Sequence, residues 1–231
     1  QMCIRDSQLH CATMAKTTDT RRRIAGTVLA ASGVLLSACA PNHGTPARET
    51  VVVATQAAPA SLDFTSTGGA AVPQAMMGNV YETLVRIDDT GTPQPFLATS
   101  WEESADGTEY TFHLREDVTF SDGTPFSADT AAFSIDYVTQ HWTNGLKKQM
   151  DAVKTARAVD PHTLVVTLHA PDPDWLWSMG TLTGAMMAPA SIDRLSTDPL
   201  GTGPYRVASF RVGEAITFHA RDDYWGGTVA R

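Results

Sequence analysis

The sequence predicts an α/β fold, and three observations carry that expectation. Tyr110, Phe112 and Leu114 alternate with Thr111, His113 and Arg115, and Leu164, Val166 and Leu168 repeat the pattern, the period of a half-buried strand. Ser127 stands before Ala131, Ile135 and Val138, apolar residues at helical spacing behind a capping hydroxyl, with Asp129 in the first turn. Thr50–Val51–Val52–Val53–Ala54–Thr55 is a continuous apolar run of the kind covered on both faces. Strands interspersed with helices fit neither an all-helical nor an all-strand layer arrangement.

Taken in order, the run at 50–55 predicts the first strand, and Gln56 to Gly69 reads as loop. Pro73 to Val85 is predicted helical, with Val72, Met76, Val80 and Leu84 four apart. Val85–Arg86–Ile87 leads to a turn at Asp88–Asp89–Thr90–Gly91, after which Pro93–Gln94–Pro95 is extended and 97–101 joins a strand. Asp106–Gly107 turns the chain into the Tyr110–Leu114 strand, and Asp122–Gly123 and Pro125 end that extended stretch ahead of the Ser127 helix. Val153–Val159 and Leu164–Ala170 form a hairpin around Asp160–Pro161–His162–Thr163. Asp174 is placed to cap a short helix that turns Trp175, Leu176 and Met179 to the core. Tyr205–Phe210 and Ala215–Ala220 form a last hairpin through Val212–Gly213–Glu214. No internal repeat is visible.

The start of the chain reads as an address rather than as structure. Residues 1–13 are an upstream extension, and Met14 is the better start, because Lys16 and Arg21–Arg22–Arg23 then make a basic region ahead of the apolar stretch Ile24 to Leu36. That stretch is shorter than the roughly 20 apolar residues a membrane-spanning helix needs. Leu36–Ser37–Ala38–Cys39 resembles the processing site of bacterial lipoproteins, so residues 14–38 are expected to be a signal peptide and Cys39 the lipidated residue. Residues 39–49, polar and broken by Pro41 and Pro46, make a flexible tether. Cys3 and Cys11 precede Met14, which leaves Cys39 without a disulfide partner. The expected location is the outer face of the cell membrane or the periplasm, with membrane contact through the anchor only.

The whole chain has a net charge of −8, and residues 1–38 carry five basic and two acidic groups, so the part after them stands at −11. Such a surface argues against nucleic acid and anionic lipid as partners. No nucleophile elbow, paired-histidine zinc motif or phosphate loop occurs, and the seven histidines are scattered, so neither catalysis nor a metal or other cofactor is expected. Trp101 and Trp225 read as core anchors, Trp175 as core and Trp177 as rim, while Trp142, near the end of the Ser127 helix, is more open. Two loops stand out as binding candidates. In Ser66–Thr67–Gly68–Gly69–Ala70–Ala71–Val72 the glycines leave the backbone free to approach a ligand, and an ordinary turn is the alternative. Gly201–Thr202–Gly203–Pro204–Tyr205 is read chiefly as a tight approach to a core strand, with Tyr205 on the edge of a cleft.

Ser100–Trp101–Glu102, Asp106–Gly107, Tyr110–Thr111–Phe112–His113–Leu114–Arg115 and Phe120–Ser121–Asp122–Gly123–Thr124–Pro125–Phe126 follow one another in an order similar to that of the extracytoplasmic solute-binding proteins of family 5, the peptide- and nickel-binding receptors of bacterial ATP-driven importers. Gly201–Thr202–Gly203–Pro204–Tyr205 followed by Asp223–Tyr224–Trp225–Gly226–Gly227 resembles a second family stretch, and Ser61–Leu62–Asp63 with Tyr81–Glu82–Thr83–Leu84–Val85 a third. The resemblance implies a two-lobed, Venus-flytrap receptor of the type II periplasmic-binding-protein kind. Residues 50–86 and 196–231 would belong to the lobe bearing the termini, 87–195 would be an extra subdomain, and the second ligand-binding lobe would lie beyond Arg231, making this chain an N-terminal fragment. It implies capture of oligopeptides or dipeptides by a monomer that hands them to the permease subunits of an ABC importer, with nickel, haem and oligosaccharides as open alternatives. It also places ligand backbone against main-chain groups near 66–72, so the binding candidates are Thr67, Gly68, Gly69, Ala70, Ala71, Val72, Trp142 and Tyr205. A sensor presenting solute to a receptor kinase, or a lipoprotein hydrolase, are the rival functions.

Overall fold

In the computed structural model, residues 51–54, 57–143 and 145–229 are described. They fall in one compact unit. The residues expected to form the export signal, the lipidation site Cys39 and the tether lie outside the described residues.

At its centre is a four-stranded antiparallel sheet, in the order β3–β4–β6–β5, built from β3 (Ala98–Glu103), β4 (Glu109–Leu114), β5 (Val153–Asp160) and β6 (Thr163–Leu168). Register pairs Trp101 with Phe112, Phe112 with Leu164 and Leu164 with Ala158, so one face carries the apolar residues that the alternation predicted. Tyr110, Phe112, Leu114, Leu164, Val166 and Leu168 are all buried. That face is covered by α2 (Ala128–His141), which presents Ala131, Ile135 and Val138. Ser127 caps α2 as expected: its hydroxyl accepts from the backbone N–H of Thr130, and the Thr130 hydroxyl donates to the Ser127 carbonyl while accepting from the Ser127 N–H. The Ser134 hydroxyl then reaches across to the backbone of Met187, fixing the helix to the 185–188 stretch.

Two hairpins flank this layer. β1 (Val85–Ile87) pairs with β2 (Pro93–Pro95), and Asp88 closes their turn by accepting from the N–H groups of Thr90 and Thr92, the Thr90 hydroxyl and the Gln94 amide. These bonds hold its carboxyl down at about 2. β7 (Tyr205–Arg211) pairs with β8 (Ala215–Ala220) through a turn in which Gly213 has φ of +73°, as the Val212–Gly213–Glu214 signal predicted. One continuous core joins Leu62 and Phe64, the sheet, α2 and the stretch from Trp175 to Leu200.

Four expectations are corrected. The apolar run does not form a strand over residues 51–54; among the described residues no strand pairs with it, and Val51, Val52 and Val53 are 72, 88 and 78 % exposed. The helix expected over Pro73–Val85 is only α1 (Ala71–Met76). Met77 turns extended and Gly78 takes φ of +73°, a conformation that ends a helix, yet Val72, Met76, Val80 and Leu84 are all buried. Burial at that spacing was legible and helix was not. Asp174 precedes α3 (Trp175–Ser178) without capping it; the Asp172 carboxylate instead accepts from the Asp174 N–H. Trp142 is not open: it closes the C-terminal end of α2, buried, edge-on to Phe64 at 5.6 Å.

Candidate functional site

The 67–72 loop is built outward from Asp63. Its carboxylate accepts from the Thr65 N–H at 2.9 Å, the Thr65 hydroxyl at 2.7 Å and the Ser66 hydroxyl at 2.6 Å, and its carbonyl accepts from the Thr67 N–H at 3.1 Å. This self-contained turn throws Gly68, Gly69 and Ala70 to the surface. Gly69 has φ of +108°, and a Cβ at Gly68 or Gly69 would meet nothing within 4 Å. The backbone N–H groups of Gly68, Gly69, Ala70, Ala71 and Val72 find no protein acceptor among the described residues. Consecutive unpaired donors on an exposed loop form a surface that an acceptor-rich ligand can satisfy.

The structure brings part of the predicted set together. Thr143, next to Trp142, donates its N–H to the Thr65 carbonyl at 3.0 Å, and Phe64 lies between Trp142 and Tyr81, edge-on to both. The loop therefore rests on the C-terminal end of α2. The indole N–H of Trp142 and the hydroxyl of Tyr81 are buried without an acceptor. Val72 is buried, so of the predicted loop residues it is Gly68, Gly69 and Ala70 that stand at the surface. Thr67 and Ala71 are half-buried. Tyr205 is not part of this cluster: it starts β7 beyond the far end of α1, its N–H on the Asn79 carbonyl and its ring 6.5 Å from that of Phe218. Gly201 and Gly203 set a tight approach, though to the turn at Asn79 and Val80 rather than to the core strand expected: a Cβ there would stand 2.0 Å from the Val80 carbonyl oxygen and 2.5 Å from that of Asn79.

One constellation escaped the sequence reading. Glu82, 2 % exposed, accepts from the Tyr224 hydroxyl at 2.6 Å, the Trp225 indole N–H at 2.9 Å and the Thr202 hydroxyl at 2.9 Å. Burial pushes its carboxyl up, and the three donors with the nearby Arg221 charge pull against that rise. Burial and the Glu82 charge push the Tyr224 phenol up in turn. Arg221, also buried, donates to the carbonyls of Thr119, Phe120, Thr202 and Gly203 and pairs with Asp223 at 3.1 Å. The three stretches that carried the family resemblance thus meet at one buried carboxylate and one buried guanidinium. The signal available was a glutamate among apolar neighbours, Tyr81 and Leu84, on a face otherwise read as core.

Residues 92–231 match the model of the bacterial extracellular solute-binding proteins, family 5 middle region. The chain belongs to that family. The Escherichia coli K12 protein named probable ABC transporter periplasmic-binding protein SapA is 29 % identical over 184 residues, 68 % of this chain and 34 % of its own length. Heme-binding protein A of Haemophilus influenzae is 31 % identical over 64 % of this chain and 32 % of its own. Among solved structures, NikA from Brucella suis, in complex with Fe(III)-EDTA, superposes with a TM-score of 0.59 at 35 % identity, covering 64 % of this chain and 31 % of that one. DppA from Helicobacter pylori, in complex with the peptide STSA, gives 0.65 at 28 % identity over 75 % and 39 %. This family-5 chain spans about a third of the length of the curated relatives it matches, and its mixed helix and sheet fold is that of the corresponding part of these binding proteins. The family consists of solute-binding proteins rather than enzymes. Among the described residues no cluster of His, Cys, Asp and Glu is arranged to hold a metal ion, and no helix is long and apolar enough to cross a membrane.

Proposed function

We propose that the protein containing this chain is the solute receptor of an ABC importer, with oligopeptides or dipeptides as its ligand class, and that the 67–72 loop contributes main-chain contacts to the ligand. The run of unpaired, accessible backbone donors from Gly68 to Ala71 carries the reading. A peptide is a chain of carbonyl acceptors, and donors fixed by a rigid turn recognise that repeating feature without reading side chains. Relatives named for peptide transport, di- and tripeptide binding and glutathione binding support it. Lipidation of Cys39, export and delivery to permease subunits complete the reading, with 50–86 and 196–231 in one lobe and 87–195 as an extra subdomain.

Gly68 is the position to test. Its φ is not positive and a side chain there meets nothing, so Gly68→Val is compatible with the fold, whereas Gly69 at φ of +108° is strained by any substitution. In cells, deletion of the gene is expected to abolish uptake of labelled di-, tri- or oligopeptides, with wild type restoring uptake and Gly68→Val restoring it with a several-fold higher half-saturation. Unchanged uptake of every peptide class on deletion, with loss of nickel–histidine or haem uptake instead, overturns the ligand class. Full restoration by Gly68→Val overturns the role of the loop.

A further inference from the structure

A second cleft shares no residue with the 67–72 loop. It measures about 340 Å³ and lies between the β1–β2 hairpin and the loop that follows β8, lined by Arg86, Pro95, Phe96, Arg115, Tyr224, Trp225 and Gly226. Cations and rings alternate along it. The Arg86 guanidinium stands 6.0 Å over Phe96, Phe96 meets Trp225 edge-on at 5.5 Å, and the Arg115 guanidinium lies 4.4 Å over the Trp225 ring.

We propose that this cleft is an oxyanion-binding site, taking the carboxylate or phosphate group of a small ligand on Arg86.

Three features support it. The first is an unbalanced charge. Arg115 is held by Asp117 through two bonds of 3.0 Å, but Arg86 is exposed and has neither an acidic partner nor a hydrogen-bond acceptor among the described residues. In a chain of net charge −8 that leaves a guanidinium fork unused at the mouth of a cavity. The second is rigidity. Tyr224 and Trp225 spend their polar atoms inward on Glu82, so the aromatic wall is fixed before any ligand arrives and little ordering is lost on binding. The third is the shape of the rim. A Cβ on Gly226 would stand 2.4 Å from the Tyr224 ring, so the chain folds tightly against that ring only because glycine is there. The nearest acid on the hairpin, Asp88, is consumed by its own turn. Glu82 is buried, its carboxylate taken by Thr202, Tyr224 and Trp225.

Calorimetric titration of the chain at low ionic strength, with benzoate, inorganic phosphate and benzyl alcohol as probes, tests the assignment. Both anions are expected to bind and the neutral alcohol is not; benzoate binding tighter than phosphate assigns a carboxylate ligand, and the reverse a phosphate. Arg86→Gln should weaken the preferred anion at least ten-fold and Arg86→Lys by less, while Arg157→Gln, an exposed arginine on β5 away from the cleft, should bind as wild type. Arg86 is exposed, so its variants keep the wild-type melting temperature. The proposal is overturned if benzyl alcohol binds as tightly as benzoate, if neither anion binds, if Arg86→Gln leaves affinity unchanged, or if Arg157→Gln weakens it equally.

Discussion

A carboxylate taken out of water must be met by donors or give up its charge. Glu82 is met by three, and each comes from a different part of the chain or from a different side chain of one loop: Thr202, Tyr224 and Trp225. Removing the carboxylate strands all three donors, at roughly 1 kcal/mol or more apiece, and takes one of two negative charges from beside Arg221, which keeps its pair with Asp223. Glu82→Ala is therefore expected to cost about 4 kcal/mol and to lower the melting temperature by about 10 °C, while Glu82→Gln, which keeps the shape and one acceptor, costs about 1 kcal/mol. The two variants also separate by pH. Burial raises the Glu82 carboxyl in the folded protein, so the folded state holds that proton more tightly than the unfolded chain. The stability this group confers is then fully present below the ordinary glutamate range and is lost as pH rises through the raised value. Melting temperatures of wild type relative to Glu82→Gln should fall across that window. A constant difference from pH 4 to pH 8, values set about the glutamate reference range, would mean that the three donors cancel the burial cost.

At the scale of elements, α2 and the 201–205 turn make contrasting demands. Ser127→Ala removes one half of a reciprocal cap, and the loss is expected to be about 1 kcal/mol in chemical denaturation with the fold intact. Gly201→Ala puts a methyl group 2.0 Å from the Val80 carbonyl oxygen, a backbone atom that cannot step aside, and the expected result is an insoluble or unfolded product. A soluble Gly201→Ala protein with a wild-type melting temperature would show that the 79–81 and 201–203 segments can separate without harm. These two cases also mark how far the sequence could be read. The cap, the alternating strands and the Gly213 hairpin depend on neighbours a few residues away, and all were legible. The end of α1 depends on one glycine, and the apolar spacing through Val80 and Leu84, correct about burial, concealed it. The run at 51–54 has strand composition and no strand beside it, and pairing is a property of two segments. In the same way the binding candidates were legible as an open glycine loop, whereas the burial of Trp142 and the meeting of Glu82 with Tyr224 lie in contacts across 78 to 143 residues.

At the scale of the whole molecule, two features point toward self-association. Among the described residues β7 and β8 form a sheet of two strands, and past Tyr205, whose N–H the Asn79 carbonyl takes, no further strand pairs with their outer edges. The exposed segment Val51–Val52–Val53 combines high strand propensity with apolar side chains and has no strand beside it. A segment of that kind on one copy and an open edge on another are complementary, and pairing them buries apolar surface while satisfying both sets of backbone groups. The net charge of −8 opposes the encounter at low ionic strength and is screened as salt rises, so association should increase with both protein concentration and salt. Light scattering coupled to size exclusion is expected to show a growing oligomer fraction at physiological ionic strength. Val52→Lys, which places a charge in the middle of the exposed segment, should suppress it without changing the melting temperature, because Val52 is 88 % exposed and supports nothing in the core. A wild-type chain that remains monomeric across the concentration range, or a Val52→Lys variant that associates just as strongly, would remove this segment from the account and leave the open edges of the hairpin to be tested by charges placed on β8.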